Sequence, residues 1–545
     1  MLVESKKAEW IELSDWEHDK LKEYEYILSE FKAHQNGSMV LGYERLKYIF
    51  KRLFGVVPPK PNLKEGYRQR ALTPTYGLSG LCGAWGSSGT APWTVSSDAG
   101  GTASCAYADV EACVNDVAAG GDTINVPAGD CTWNTTLTIS HGVLLMGAGD
   151  GNTVIRRNAA NGIFIFDPDD YDLNDPMRIS GFSFDCNSGI LIYIGPSGLT
   201  GKPAPFTVQD KFRLDHNTVT EMGDTAIWNK GVAYGVIDNN TFTHNGVYPF
   251  KNDPQIADSY NWWSLSPQKD YQLGSNKSMY FEDNIINLSS GSDNACAEGQ
   301  YGGRYIFRYN TINTTVASYS FFEQHGHQTS GDMPSCFGAE IYGNDITATN
   351  DDLILYKTRG GSSVVFANSG SNVSGQWEID AYTSLVTCPE DDPNGQMVHD
   401  TYQWANRQDY SGALATTEAS GDIDGCGDYD NRVTEGRDIV GPDSTPAVTY
   451  GTLANRPAEP CTEHAGYWAT TQDLSNLTNF VGDNPTTPLS GTLYKCNGAN
   501  VWEELFTPYT YPHPLRGEGS SPSVVYGYIK NASNVNNIRR LHPKI

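Results

Sequence analysis

The sequence predicts an all-β chain wound as a solenoid of stacked parallel coils, on three observations. First, an alternating apolar run ending in Asn keeps returning, as Phe212–Val219, Gly235–Phe242, Met279–Ile286, Tyr305–Ile312, Ala339–Ile346 and Ser363–Asn368. Second, its Asn residues, Asn217, Asn240, Asn284, Asn310, Asn344 and Asn368, return after 23, 44, 26, 34 and 24 residues. Third, the composition is turn-rich and β-like, with 56 Gly and 31 Tyr among 545 residues and only 19% charged. Alternation reads as strand, because successive side chains point to opposite faces. A unit this short cannot bury its apolar face alone, so copies must stack, with parallel strands about 4.8 Å apart. Asn tolerates the left-handed conformation of a tight bend, and copies stacked at one corner can hydrogen-bond along the axis. These six Asn therefore read as structural ladder residues. The 44-residue step reads as one coil with a long loop, or as two coils with one degenerate copy.

Taken in order, the chain opens with helix signals. Residues 14–34 read as one helix: Ser14 and Glu17 form a capping box, Asn36-Gly37 stops it, and Leu21, Tyr24, Leu28 and Phe31 make a heptad-like seam. A second helix is expected over 43–54, ended by Pro58-Pro59. Residues 1–55 thus read as a helical docking module ahead of the alternative, a helical cap packed on the body, and the Pro-, Gly- and Ser-rich stretch 56–104 as its linker. The first 72 residues hold 13 Lys and Arg against 11 Asp and Glu, a net +2 within a chain of −27. The remaining −29 makes an acidic body. That argues against nucleic acid as a partner, and admits an anionic glycan only where a local basic patch meets it. No apolar run is long enough for a membrane insertion, and Met1–Lys7 leads straight into charged helix rather than an export signal. The 11 Cys contain no CxxC pair, so no zinc site is expected. Cys105, Cys113 and Cys131 lie close in sequence, and a Cys105–Cys131 bridge is one pairing open to them.

Residues 106–117 read as a short amphipathic helix, with Tyr107, Val110, Val114 and Val117 apolar, that would cover the open first edge of the solenoid. The stretches GDTINVPAGDCTW at 121–133 and GVLLMGAGDGNTVI at 142–155, with the Asn-ended strands, resemble the pectate-lyase-like right-handed parallel β-helix superfamily over about 105–370. The resemblance implies a right-handed single-stranded parallel β-helix. That superfamily includes polysaccharide lyases, polysaccharide hydrolases and trimeric bacteriophage tailspikes, so fold alone leaves activity open. Beyond 370 the repeat fades, and 371–455 reads as an irregular extension of long loops. Residues 456–515 regain aromatics. Their YTYPHPL at 509–515 resembles the terminal segment of many bacterial and phage β-helix proteins, which implies a C-terminal cap sealing the end of the helix. Residues 516–545 form a polar tail.

Each coil should also carry a strand before the Asn phrase, ending in Gly. Trp228–Gly231, Cys296–Gly299, Glu323–Gly326 and Lys357–Gly360 align in this way. Alternation then sets Lys230, Glu298, His325 and Arg359 in one solvent-facing column, and Glu323 beside Lys357 in the next. Carboxylates and a His on one ridge can take a proton or protonate a glycosidic oxygen, which makes Glu298, Glu323 and His325 the candidate catalytic residues. Arg359 presents a planar fork to a uronate carboxylate. Lys357, Arg304, Trp262 and Trp263 are the other candidate substrate-binding residues; the two Trp sit with Tyr319 and Phe321 in loops 243–275 and 313–338 that could wall a groove. The same column also reads as a charge ladder whose alternating signs support stacking. No metal site is assigned. The superfamily's calcium-dependent lyases cluster acidic ligands, and Asp293, Glu298 and Glu323 are not placed on one ion by the sequence, so Ca2+ stays open and no other cofactor is expected.

Two functions of different class follow. The first is a tailspike- or fibre-like virion protein, a trimer, whose body contacts cell-surface polysaccharide while residues 1–55 dock it to virion tail proteins. The second is a free or secreted polysaccharide lyase or hydrolase, or a non-catalytic surface adhesin.

Overall fold

In the computed structural model the described residues are 82–83, 93–95, 104–116, 121–158, 162–166, 175–195, 209–222, 225–230, 233–244, 250–252, 272–289, 296–300, 302–315, 321–326, 335–348, 353–371, 377–381, 398–419 and 433–517. The helices expected within 1–55, most of the linker 56–104 and the tail beyond 517 lie outside them. The chain divides into units Met1–Ser79 and Gly80–Ile545, and the description below concerns the second.

Three long sheets carry this unit: sheet A with 13 strands, and sheets B and C with 10 each. Consecutive segments visit them in turn. Ala233–Asp238 lies in A, Thr241–His244 in B and Phe250–Asn252 in C; Met279–Glu282 then returns to A and pairs in parallel with Ala233–Asp238. One coil is therefore three short strands, and the chain is an all-β solenoid of stacked coils. The 44-residue step is one such coil with a long insertion between Asn252 and Met279. Inward rings pack between successive coils, with Phe281–Phe307 centroids 5.4 Å apart, and across one coil, with Phe307–Phe322 at 5.0 Å. Each coil alone would leave these rings wet, so stacking is what the alternating pattern drives.

The Asn ladder forms at the corner between sheets A and B. Each Asn Nδ2 donates to the next copy's Oδ1, as in Asn217 to Asn240 at 3.0 Å and Asn344 to Asn368 at 2.9 Å. The ladder runs one copy further, with Asn368 donating to Asn406 at 2.9 Å. The bend itself falls on the preceding residue, not on the Asn. His216, Asn239, Asp283, Tyr309, Ala367 and Ala405 have φ between 49 and 55°, and Gly343 has φ 68°. This corrects the expected bend position. The residue before the Asn makes the left-handed turn, which leaves the Asn amide to bond along the stack.

The end of the solenoid is also corrected. Trp377–Ala381, Val398–Trp404, Arg407–Gln408, Thr416–Glu418 and Ile439–Val440 continue the three sheets in parallel register. The repeat thus runs to Val440 rather than 370; long segments between its strands mask the period. At the other end the expected helix is present as Tyr107–Asp116, with Val110, Cys113 and Val114 buried and Tyr107 edge-on to Trp133 at 5.6 Å. The Cys105–Cys131 disulfide is formed, and a second joins Cys461 to Cys496.

The C-terminal aromatic segment does not sit on the end of the solenoid. A small four-stranded sheet, Val448–Gly451, Gly466–Ala469, Thr492–Cys496 and Trp502–Phe506, packs Trp468 and Phe506 against Phe366 at 5.1 and 5.8 Å. Residues 509–516 then run back along the outer face of sheet A as a strap. Register aligns Asp215, Asp238, Glu282, Arg308, Tyr342, Phe366 and Trp404 as one outward column there. The strap matches it: Tyr511 lies 4.4 Å from Tyr309, Arg308 donates to Tyr509 O and Thr510 O, and Arg213 donates to Leu515 O and Arg516 O. Arg516 pairs with Asp238 at 3.3 Å, with Glu282 at 3.1 Å and with Asp283. The expected end cap is therefore a side strap, because a charged and aromatic column on sheet A offers it partners.

Candidate functional site

The site is built on six neighbouring strands of sheet C: β1 (Ile192–Ile194), β2 (Ile227–Asn229), β3 (Phe250–Asn252), β4 (Ala297–Gly299), β5 (Phe322–Gln324) and β6 (Leu353–Thr358). Their register stacks Tyr193, Trp228, Lys251, Glu298, Glu323 and Lys357 in one column. The flanking Ile227, Phe250, Ala297, Phe322 and Tyr356 fill the core, so alternation turns this column outward. The next outward position holds Lys230, Gln300, His325 and Arg359. Parallel backbone bonds reach it, with His325 N donating to Gly299 O at 2.9 Å and Arg359 N to Gln324 O at 2.8 Å. Glu298, Glu323 and Lys357 thus stand beside Gln300, His325 and Arg359 as a two-by-three grid.

Two expectations are corrected here. Glu298 belongs to the Glu323–Lys357 column, not to that of His325. The slip is two residues, which keeps every side chain on its own face and so escapes an argument from alternation. The column also does not face open solvent: Glu298 is 1% exposed, and Glu323 and Lys357 are 7% each. Outward from the core and buried are compatible once other segments of the chain cover the sheet.

The grid's charges are tightly coupled. His325 Nε2 lies 2.6 Å from Glu298 Oε1 and 3.8 Å from Glu323 Oε1. Arg359 Nη2 contacts both Glu323 Oε1 and His325 Nε2, and the Gln300 amide donates to Glu298 Oε1. Lys251 Nζ stands 3.4 Å from Glu298 Oε2. Burial alone would raise the Glu298 carboxyl, but His325, Lys251 and Gln300 outweigh it and hold the group below its usual range. Glu298 is therefore a carboxylate near neutrality.

The other named residues divide. Arg304 lies on sheet A rather than sheet C, 2% exposed, its guanidinium 5.7 Å from the Tyr234 ring centre and 6.0 Å from that of Phe337, and it donates to Lys277 O at 2.9 Å. Phe321 is a core residue, edge-on to Phe322, and so offers no face to a sugar. Trp262, Trp263, Tyr319 and Asp293 lie outside the described residues. Lys251, Gln300 and the Tyr193–Trp228 pair were not anticipated. A signal for β3 existed: Phe250-Lys251-Asn252 repeats the apolar-x-Asn of Ile227-Trp228-Asn229.

Glu298, Glu323 and His325 each bring one ligand atom to within 4.8 Å of the others. Two oxygens and one nitrogen suit a borderline transition ion better than calcium, which takes six to eight oxygens. Arg359 contacts two members of this trio, so an ion there would have to displace its guanidinium. Among the described residues no helix is long and apolar enough to cross a membrane. No protein-family model, curated protein or solved structure matches the chain.

Proposed function

We propose that the chain is a tailspike- or fibre-like right-handed parallel β-helix whose sheet C face binds a uronate-containing cell-surface polysaccharide and cleaves it by β-elimination. The helix Tyr107–Asp116 caps its first coil, and residues 1–55 dock a trimer onto a particle. One observation carries the catalytic part: the 2.6 Å approach of His325 Nε2 to the ionised Glu298, inside a grid that also holds Arg359 and Lys357. Glu298 beside the ring orients His325. His325 takes the proton α to the sugar carboxylate, and Glu298 holds the resulting imidazolium. Arg359 and Lys357 neutralise that carboxylate, which makes the carbon acid removable. The electron pair forms the sugar's new double bond as the glycosidic C–O bond at the β carbon breaks, and the leaving oxygen takes its proton from solvent water. A hydrolase needs a protonated carboxyl, whereas His325, Lys251 and Gln300 favour the ionised form of Glu298, so elimination is preferred to hydrolysis.

The burial of Glu298, Glu323 and Lys357 favours a second reading, an ion-pair ladder that keeps coils in register. One experiment separates the two. Wild type, Glu298→Gln and His325→Ala are incubated with a panel of acidic polysaccharides, with ultraviolet absorbance reporting unsaturated products and denaturant midpoints reporting stability. The proposal expects unsaturated products from wild type and a loss of roughly 100-fold or more in His325→Ala. Saturated products point to hydrolysis. No product, with both variants strongly destabilised, leaves the ladder.

A further inference from the structure

We infer that Tyr193, Trp228 and Lys230 form a second saccharide subsite on the same face, one that takes a glycosyl ring bearing an anionic group. This rests on the proposed saccharide site and extends it along the sheet. Trp228 occupies the same outward column as Glu298 and stands two strands before it, about 10 Å away at the spacing of parallel strands. Tyr193, one strand further, lies 5.8 Å from Trp228 with ring planes tilted by 33°. Both rings are only half-buried, unlike the aromatics of the core and of the strap column.

The charge on this platform decides what it takes. Lys230 Nζ lies 3.6 Å from the Trp228 ring centre and 4.8 Å from that of Tyr193. Lys251 Nζ lies 5.2 Å from the same indole. Lys251 is already paired with Glu298, so Lys230 is the cation that this platform brings to a ligand on a chain of net −27. The Lys230 ammonium lies over the indole, so a carboxylate or sulfate on the sugar draws it off the ring and the glycosyl ring takes its place against the apolar face. Strand spacing is also close to the rise of one sugar in an extended glycan. A chain laid along the solenoid axis therefore presents one ring to His325 and Glu298 and another, further along, to Trp228. The subsite makes the enzyme favour long anionic chains over short fragments, and internal bonds over ends.

The test titrates wild type, Trp228→Ala and Lys230→Met with short and long fragments of polygalacturonate, alginate and hyaluronate, and with neutral maltooligosaccharides, by calorimetry. Equal denaturant midpoints check the fold, and Lys230→Met keeps an apolar stem on the ring. Wild type is expected to bind long anionic fragments more tightly than short or neutral ones, with a salt-dependent affinity that falls roughly tenfold in each variant. Long anionic fragments bound equally by wild type and both variants, or neutral fragments bound as well as anionic ones, overturn the subsite and leave the proposed function standing. If wild type neither binds any fragment nor cleaves any parent polysaccharide, the proposed function falls and takes the subsite with it.

Discussion

Arg516 ties the strap to the solenoid, and Arg516→Ala is the most informative single change. Its guanidinium reaches three carboxylates, Asp238, Glu282 and Asp283, whose side chains are all 0% exposed. Glu282 keeps Arg308 at 2.6 Å and Asp238 keeps Arg213 at 2.9 Å after the change. Asp283 keeps only neutral partners, the Tyr511 hydroxyl at 2.9 Å and the Asn484 amide at 2.7 Å. Removing one partner of a buried pair costs roughly 3–5 kcal/mol, mostly as the penalty of the charge left behind. Burial already holds the Asp283 carboxyl above its usual range with Arg516 present, so in the variant it can take up a proton and limit the loss. The lower end, about 3 kcal/mol, is therefore expected at neutral pH. Urea unfolding measures the loss, and limited proteolysis shows whether the strap opens first. Arg516→Lys, which keeps the charge but not the fork, should recover part of it. A loss under about 1 kcal/mol with an unchanged cleavage pattern would show the strap to be held by its aromatics and not by this cluster.

Three further changes follow from the same geometry. Asn310→Ala removes the acceptor of the Asn284 N–H and the donor to Phe281 O, Arg308 O and Asn344 Oδ1; with each orphaned group costing ~1–3 kcal/mol, urea unfolding should show a loss of several kcal/mol. His513 is held down at about 4 by burial, with Arg308, Arg213 and Arg516 adding to it against Glu282. A depressed base gives stability that is full above its unfolded pKa of about 6.5 and is lost as pH falls toward 4, by roughly 3 kcal/mol. His513→Gln should therefore flatten the pH dependence of the urea midpoint over that window, and an unchanged slope would refute the assignment. Replacing Cys461 and Cys496 together with Ser opens a 35-residue loop worth roughly 4 kcal/mol in the chain-entropy picture. Proteolysis should then nick the small sheet while the far-ultraviolet signal of the solenoid persists.

What the sequence showed and what it hid follow from the range of each interaction. The coil repeat was legible because strand alternation and the recurring Asn are local and periodic. The bend residue was not, since His, Asn, Asp, Tyr, Gly and Ala all fill it and no residue type marks the position. Face assignment at the site succeeded for the same reason that register failed: period two fixes inside from outside but is blind to a slip of two, and Glu298 was placed by such a slip. The coil bearing Lys251 was hidden by the long insertion after Asn252. The strap was illegible because its bonds, such as Arg213 to Leu515, join residues 302 apart. Sheets A and C then present comparable outward columns of carboxylates and cations with opposite fates. On sheet A the strap supplies Arg516 and backbone carbonyls, and Asp215, Asp238 and Glu282 are closed off at 0% exposure. On sheet C the His325 and Arg359 side chains remain 14% exposed at the edge of a buried carboxylate pair, beside half-buried Tyr193 and Trp228. A charged column sealed by the chain's own partners serves stability; the proposed site rests on the other column, where a base, a guanidinium and two half-buried aromatic rings stay within reach of solvent.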